Sequence, residues 1–560
     1  MKLISYLLHI CEEQTLNPGW RLAIPQDIKM GLASKRKGRW RYRCWQKLFL
    51  ALIGFPLAAG VLLVFVAIFR AVFVHQQTQS VLHILNNQVV DKIDESQIMQ
   101  RAERLAGALK IPSVSYATDN QEKEALLQLH QYLETNFPLI HSASFIKKEV
   151  INTYSLLYTV EGTTKGKLPY LFASHLDVVP VDPSTWEVPP FGGKIVNRTY
   201  IYGRGAIDDK SGVLGIMEAV EYIIQMGQRP QRTFFMAFGH DEEISGKRGA
   251  HELAKILQAR GVNRLDFVLD EGFPLSKGLI PGTDKHIAMV GISEKGTVTL
   301  ELSVTGNPGH SSFPPAESAI GILAAAVARL EENPQPSLLG KGPESATFKY
   351  LAPHVSFFYR LLYNNLWLFS GLMAREMERV PLTNAFVRTT TAITVFHGGI
   401  KDNVVPPSAK AVINHRVHPS QTVTEVIAYD REIISDPRVR IQVKTSREAH
   451  PISPFGLDCI PFQMVIVSIK QVFTDAVVVP AVFIANTDTR WYLSFTTNLY
   501  RFLPTVVAPE DVNRYHGNNE RISIKHYHEA VNFYYRIIKN ADMLTDQVPS
   551  STINNGDQEL

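Results

Sequence analysis

His175, Asp208, Glu243, Asp270 and His516 are of the types that ligate divalent metal ions, and the first four lie at or near the ends of apolar runs. Two metal ions that share one carboxylate need five protein ligands, three to each ion, and leave room for a reactive water. Five such residues in this order point to hydrolysis assisted by two ions. None of the short clusters decides this alone. In SHLDVVPV, Asp177 can hydrogen-bond the second ring nitrogen of His175, fixing its tautomer and raising its basicity. A surface turn would read the same. In YGRGAIDDKSG, Gly203 and Gly205 allow a tight turn, and Asp208 is either a bridge between two ions or a helix cap. In FGHDEEISG, one of Glu242 and Glu243 can ligate while its neighbour shuttles a proton, although paired acids also occur on solvated helix starts. In FVLDEG, Asp270 closes a buried strand as ligand or N-cap, and its place at the strand end favours it over Glu271. RYHGNNERISI sets His516 before a glycine, near the last helical region.

Ligands gather at the carboxyl ends of strands in an open parallel sheet, so these clusters require such a sheet. LPYLFAS (168–174), RTFFMAF (232–238) and LDFVL (265–269) read as buried strands, and SGVLGIMEAVEYII (211–224) has helical periodicity between the first two. The expectation is an α/β fold with a mixed, largely parallel sheet and helices on its faces. At about 296 the pattern changes to alternation, with Val298, Leu300, Leu302 and Val304 on one face. A helix at 316–331, strands near 387–396 and 409–417, a helix near 421–433 and a strand at 439–446 complete a β-α-β-β-α-β unit of ferredoxin-like order. It reads as an insertion, because helix and strand patterns resume after about 447. Within it, HVSFFYRLLYNNLWLFSGLMAREM (354–377) is either an amphipathic helical pair packed on the insert or an apolar wall for a lipid-like substrate or a bilayer.

At 560 residues, two or three domains are expected. Hydrophobic content of 45% is enough for real cores, and most of the +4 net charge comes from one short segment, so nothing marks a nucleic-acid binder. Of the three cysteines, Cys11, Cys44 and Cys459, only Cys459 lies in the main body, which excludes an internal disulfide there and any thiolate metal site. Leu48 to Phe69 carries no charge and follows a run rich in lysine and arginine (35–47), the pattern of a membrane span with a cytoplasmic N-terminus and a lumenal or extracellular body. The 47 preceding residues make too long a head for a cleaved signal peptide. The NRT sequon at Asn197 would face the glycosylating side. The expected organisation is a basic tail (1–47), a transmembrane helix (48–69), a connector (70–95), a catalytic domain in two parts (96–295 and 447–541) around a lid or dimerisation domain (296–446), and a flexible tail (542–560).

HLDVVPV, GRGAIDDK, HDEEISG and HGNNERI together resemble the signature of the aminoacylase/carboxypeptidase S family of di-zinc metallopeptidases, over roughly residues 95 to 540. KYLAP, NNLWLFSGL, PLTNAFVRTTTAITVF, GGIKDNVVPP and NTDTRWY are most similar to the branch that acts on N-fatty-acyl amino acids. The resemblance implies a zinc-aminopeptidase-like catalytic domain with two Zn2+, other divalent metals being compatible. It implies that His175, Asp208 and Asp270 hold one ion and Asp208, Glu243 and His516 the other. It makes Glu242 the general base and Asp177 the support of His175. It also implies that His310 stabilises the tetrahedral intermediate, supplied by the partner subunit in dimeric members, so that a homodimer would form through the lid domain. Asn403 and Arg490 would contact the substrate, with the Arg490 guanidinium suited to a carboxylate.

The expected activity is cleavage, and under mass action formation, of the amide bond of N-fatty-acyl amino acids. A membrane-anchored carboxypeptidase acting on short peptides would use the same residues. A catalytically inactive membrane adaptor would be expected to have lost a ligand or the base, and this chain retains every one.

Overall fold

In the computed structural model, residues 55–73 and 92–543 are described. The basic tail, the first part of the expected span, most of the connector and the tail beyond 543 lie outside these residues. Phe55–Phe73 is a helix. Among the described residues no helix is long and apolar enough to cross a membrane.

The body is organised on two sheets, whose strands in chain order are β1 Ile146–Ile151, β2 Ser155–Val160, β3 Tyr170–His175, β4 Phe234–Gly239, β5 Val268–Lys277, β6 His286–Glu294, β7 Gly296–Thr305, β8 Thr390–Gly398, β9 Ser408–Val417, β10 Arg440–Arg447, β11 Val477–Phe483 and β12 Leu499–Val507. The larger sheet has the order β11-β6-β12-β5-β3-β4-β2-β1. β3 runs parallel to both β4 and β5, β5 to β12, and β6 to β11, whereas β1, β2 and the β6–β12 contact are antiparallel. The sheet is therefore mixed and largely parallel, as the strand–helix–strand pattern predicts.

Every residue of β3 and β4 is buried, which is why both read as continuous apolar runs rather than alternations. Successive side chains still go to opposite faces. Phe172, Phe234 and Met236 pack with residues of the helices Lys210–Gln225 and Ile524–Met543, while Leu171, Ala173 and Phe235 pack with Leu253 and Leu257 of Ala250–Ala259 on the other side. Burying each large side chain contributes about 1.5–3 kcal/mol. β3 and β4 end in register, with His175 opposite Gly239, so the HLD and HDEE clusters emerge side by side.

Two strands of this sheet depart from the expectation. The strand expected to close at Asp270 continues to Lys277, and its pairing with β12 jumps from Arg501–Asp270 to Phe502–Phe273, a bulge at Glu271 and Gly272. The strand β6 was also not expected. Its glycine and serine dilute the apolar signal, and it merges into the alternation of β7.

The second sheet has the order β8-β9-β7-β10, all antiparallel, with the helices Ala319–Glu332 and Val423–Ile434 over one face. Val298, Leu300, Leu302 and Val304 fill this core, as the alternation predicts. A capping box between Thr422 and Glu425 starts the second helix. Between Ala319–Glu332 and β8 the chain forms the helices Glu344–Leu351, Phe357–Tyr363, Leu366–Met377 and Pro381–Val387. Their buried apolar residues belong to a core separate from that of the insert's sheet. Leu366, Met373, Ala374 and Val387 share a core with Ile287, Val477 and Val479 at the edge of the large sheet.

Candidate active site

His175 is the last residue of β3 and is buried. Its Nδ1 lies 2.8 Å from the main-chain oxygen of Asp177 and 3.5 Å from Asp177 Oδ1. A carbonyl only accepts, so Nδ1 carries a proton and Nε2 is the ring nitrogen that faces the site. The Asp177 carboxylate accepts from the backbone N–H of Glu242 at 3.1 Å and of Glu243 at 3.3 Å. One aspartate thus ties the first cluster to the third.

Asp208 and His516 are brought together by a buried ion pair. Glu520 accepts from Arg204 Nη1 at 2.7 Å and from the backbone N–H groups of Gly205, Ile207 and Asp208. Arg204 also donates to the carbonyl oxygens of His516 and Gly517. Gly205, at φ +90°, makes the turn this clasp requires. His516 is itself held at φ +53°, a conformation uncommon for a residue with a side chain. In result, Asp208 Oδ1 lies 2.9 Å from His175 Nε2 and Oδ2 2.6 Å from His516 Nε2. Glu243 Oε2 is 3.5 Å from His516 Nε2, and Glu271 Oε1 is 3.5 Å from His175 Nε2. Glu242 Oε1 lies 3.2 Å from Arg490 Nη2, and Arg490 Nε donates to the Thr487 carbonyl.

Asp270, the expected ligand, makes no ion pair with His175. Its Oδ1 accepts from the Glu271 N–H at 2.9 Å and its Oδ2 is buried without a hydrogen-bond partner among the described residues, while Glu271 Oε1 lies 3.5 Å from His175 Nε2. The bulge explains the exchange, since an extra residue in one strand re-aims the side chains beside it. His310 and Asn403 are not brought to the cluster. They lie exposed where Gly309–His310 pairs with Val404–Val405, and His310 contacts Phe313 and the Ser312 N–H.

The ligand atoms of His175, Asp208 and Glu243 lie within 4.8 Å of one another, as do those of His175, Asp209 and Glu271. Among the described residues, Glu243 Oε1 and Asp209 Oδ1 are buried with no hydrogen-bond partner. Converging carboxylates and imidazoles with orphaned buried oxygens fit divalent metal ions, and the absence of thiolate among them leaves a borderline ion such as zinc well matched.

The sequence profile of peptidase family M20/M25/M40 matches residues 171–540, which include every one of these clusters. The chain belongs to peptidase family M20/M25/M40. Its M20 relatives include the N-fatty-acyl-amino acid synthase/hydrolase of Xenopus tropicalis, 44% identical over 83% of this chain and 90% of that one. The human protein of that name is 40% identical over 89% and 98%. Carboxypeptidase S of Saccharomyces cerevisiae is 30% identical over 79% and 84%. The fold is shared with an M20 metallo-carboxypeptidase of Sulfolobus solfataricus at a TM-score of 0.57 and 19% identity, covering 80% of this chain and all of that one. Human carnosine dipeptidase 1 follows at 0.55 and 16%, over 80% and 96%.

The electrostatics of this M20 site favour a cation. Burial, then the charge of Asp208, pushes Glu243 up to about 7 and Glu271 well above the carboxylate range. Burial and the charge of Asp488 raise Glu242 likewise. Burial alone would raise Asp208, but hydrogen bonds from His175 and His516 hold it below its ordinary value. Burial would lower His516, yet Asp208 and Glu243 bring it up to about 10. Without a positive ion these acids must share protons with the histidines. Several participants escaped the sequence reading. Asp209 was visible only as the second acid of a doublet, and Glu520 as the acid of HGNNE. Asp488 is buried beside Gly246, whose φ of +65° and lack of Cβ leave room for its carboxylate. Arg416 and Arg447, from β9 and β10, lie within electrostatic range of Arg490 and had no local signal.

Proposed function

We propose that this M20 chain uses two zinc ions to hydrolyse the amide bond of N-fatty-acyl amino acids, and that it forms the same bond when fatty acid and amino acid are abundant. The observation that carries the reading is Glu242, a carboxyl only 10% exposed, beside the Asp208-centred cluster and 3.2 Å from a guanidinium. The relatives from Xenopus tropicalis and Homo sapiens support the substrate class.

His175, Asp208 and Glu271 would hold one ion, and Asp208, Glu243 and His516 the other. Bound zinc supplies Lewis-acid polarisation of the scissile carbonyl and lowers the pKa of water. Glu242 takes the proton of the attacking water and returns it to the leaving amine. Arg490 pairs with the carboxylate of the amino-acid half, which fixes the amide beside Glu242. Asp177 keeps His175 in its Nδ1–H tautomer and holds the backbone of Glu242 in place. His310 and Asn403 reach the scissile group from a second copy of the chain, with the 296–446 domain serving as lid and dimer contact. The uncharged segment 48–69 anchors the protein in a membrane with its N-terminus cytoplasmic, a reading supported by the basic run before it.

A carboxypeptidase acting on short peptides is the second reading, favoured by the likeness to carboxypeptidase S. The test is to supply the full chain, in vesicles with zinc, with an N-oleoyl amino acid and an apolar dipeptide in parallel. Free amino acid is then measured by mass spectrometry. Preferential release from the oleoyl compound supports the proposal, and preferential release from the dipeptide replaces it with the second reading. Release from neither by metal-loaded protein would make the chain an inactive adaptor.

A further inference from the structure

The bulge that turns Glu271 toward His175 also begins an uncharged strip. Phe273 lies two positions beyond Glu271 on β5, at the residue where pairing with β12 resumes after the bulge. Its half-buried ring stacks on Phe386 at 5.7 Å between centroids and 30° between planes, and meets Phe483 edge-on at 4.8 Å. Phe386 belongs to the helix Pro381–Val387, and the end of that helix is pinned to the large sheet by one buried lysine. Lys295 Nζ donates to the carbonyl oxygens of Ala385 at 2.9 Å and Arg388 at 2.8 Å, on either side of Phe386, while the Lys295 N–H donates to the Phe483 carbonyl. One turn back from Phe386, on the same helix face, is Leu382, which is 43% exposed. The strip therefore starts two residues along the chain from a carboxylate of the catalytic cluster and runs outward to solvent along Phe273, Phe386 and Leu382.

Arg490 and Arg447 place cationic groups near Glu242, whereas Phe273, Phe386 and Leu382, beyond Glu271, are uncharged side chains. An amphiphile with a carboxylate at one end and an alkyl chain on its amide carbonyl matches that division. We propose that Phe273, Phe386 and Leu382 form the subsite that takes a long aliphatic acyl chain, with Lys295 as the positioning residue that holds Phe386 in the wall. The inference rests on the amide-hydrolase reading and names the residues that select its acyl half. Aromatic faces and a leucine give the methylenes non-directional contact, so affinity should grow with chain length.

The test uses the full chain in vesicles, loaded with zinc, and a series of N-acyl derivatives of one amino acid from acetyl to oleoyl. In the wild type kcat/KM rises with acyl length. In Phe386→Ala and Leu382→Glu the oleoyl-to-acetyl ratio of kcat/KM falls by about tenfold or more, equivalent to losing the burial of about two methylenes. Phe386→Trp, which fills the strip, moves the optimum to shorter chains. Thermal unfolding checks that each variant is folded, and Leu382, on the surface, provides a variant tolerant of change. An unaltered chain-length profile in folded Leu382→Glu and Phe386→Trp overturns the subsite while leaving the amide-hydrolase reading intact. A wild type that cleaves only the dipeptide overturns both.

Discussion

The two carboxylate oxygens of Asp208 face two different histidines, Oδ1 at 2.9 Å from His175 Nε2 and Oδ2 at 2.6 Å from His516 Nε2. A carboxylate split in this way is placed to serve two cations. In the metal-free protein the same geometry stabilises protonated imidazole, and His516 is raised to about 10 after the opposing effect of burial. At pH 7 that proton must leave before Nε2 can ligate. Zinc loading is therefore expected to release protons, and affinity should climb as pH rises toward about 10. Calorimetric titration in two buffers of different ionisation enthalpy reads the proton count directly. A count of zero at pH 7 would show that neither histidine is a ligand.

Glu242 and Arg490 should separate chemistry from binding. Glu242→Gln keeps the shape of the side chain and removes the base, so kcat should fall by about 100-fold or more while zinc content, measured by mass spectrometry, stays at the wild-type level. Arg490→Ala removes a cation aimed at a substrate carboxylate. It should raise KM for an N-acyl amino acid much more than for the corresponding carboxamide. Equal effects on the two would mean that Arg490 acts only by holding Glu242.

The pair Asp270 and Glu271 offers the sharpest structural contrast. Glu271→Gln should reduce zinc content by about one ion per chain and abolish turnover. Asp270→Asn should retain both ions, because Asp270 faces its own backbone neighbour rather than His175. Metal analysis of the two purified variants decides the matter, and loss of metal in Asp270→Asn alone would restore the sequence-based assignment.

The difference between the sequence pattern and the geometry at that pair shows what a sequence can carry. His175, Glu242 and Glu243 directly follow apolar runs that end in register, so their meeting follows from strand order, which periodicity reveals. The clasp of Arg204 on Glu520 reaches across 316 residues, but both halves sit in recognisable motifs. The bulge after Asp270 has no such sign. It arises because β5 must keep pairing with β12 after the pairing slips, and only the partner strand knows the register. Arg416 and Arg447 were likewise invisible, since they are single arginines on strands of the insert whose closeness to Arg490 depends on how the two sheets meet. The helical segment 354–377 was legible as amphipathic, but its docking on the large sheet rather than on the insert was not.

Lys295 gives a pH dependence that can be isolated. Burial, and then the nearby charge of Arg416, lowers it from 10.5 to about 7 in the folded chain. A lysine lowered on folding is protonated in both states below pH 7. Between about 7 and 10.5 the unfolded chain binds more protons than the folded one, so stability attributable to this residue rises with pH across that window. Lys295→Met lacks the titration. It also leaves the Ala385 and Arg388 carbonyls without their donor, at a cost of about 1–3 kcal/mol each that does not depend on pH. The difference in unfolding free energy between wild type and Lys295→Met should therefore grow by the order of a few kcal/mol between pH 7 and 10. Urea unfolding of both proteins at three pH values in that range measures it, and a difference that stays constant would mean that the ammonium remains charged inside the fold.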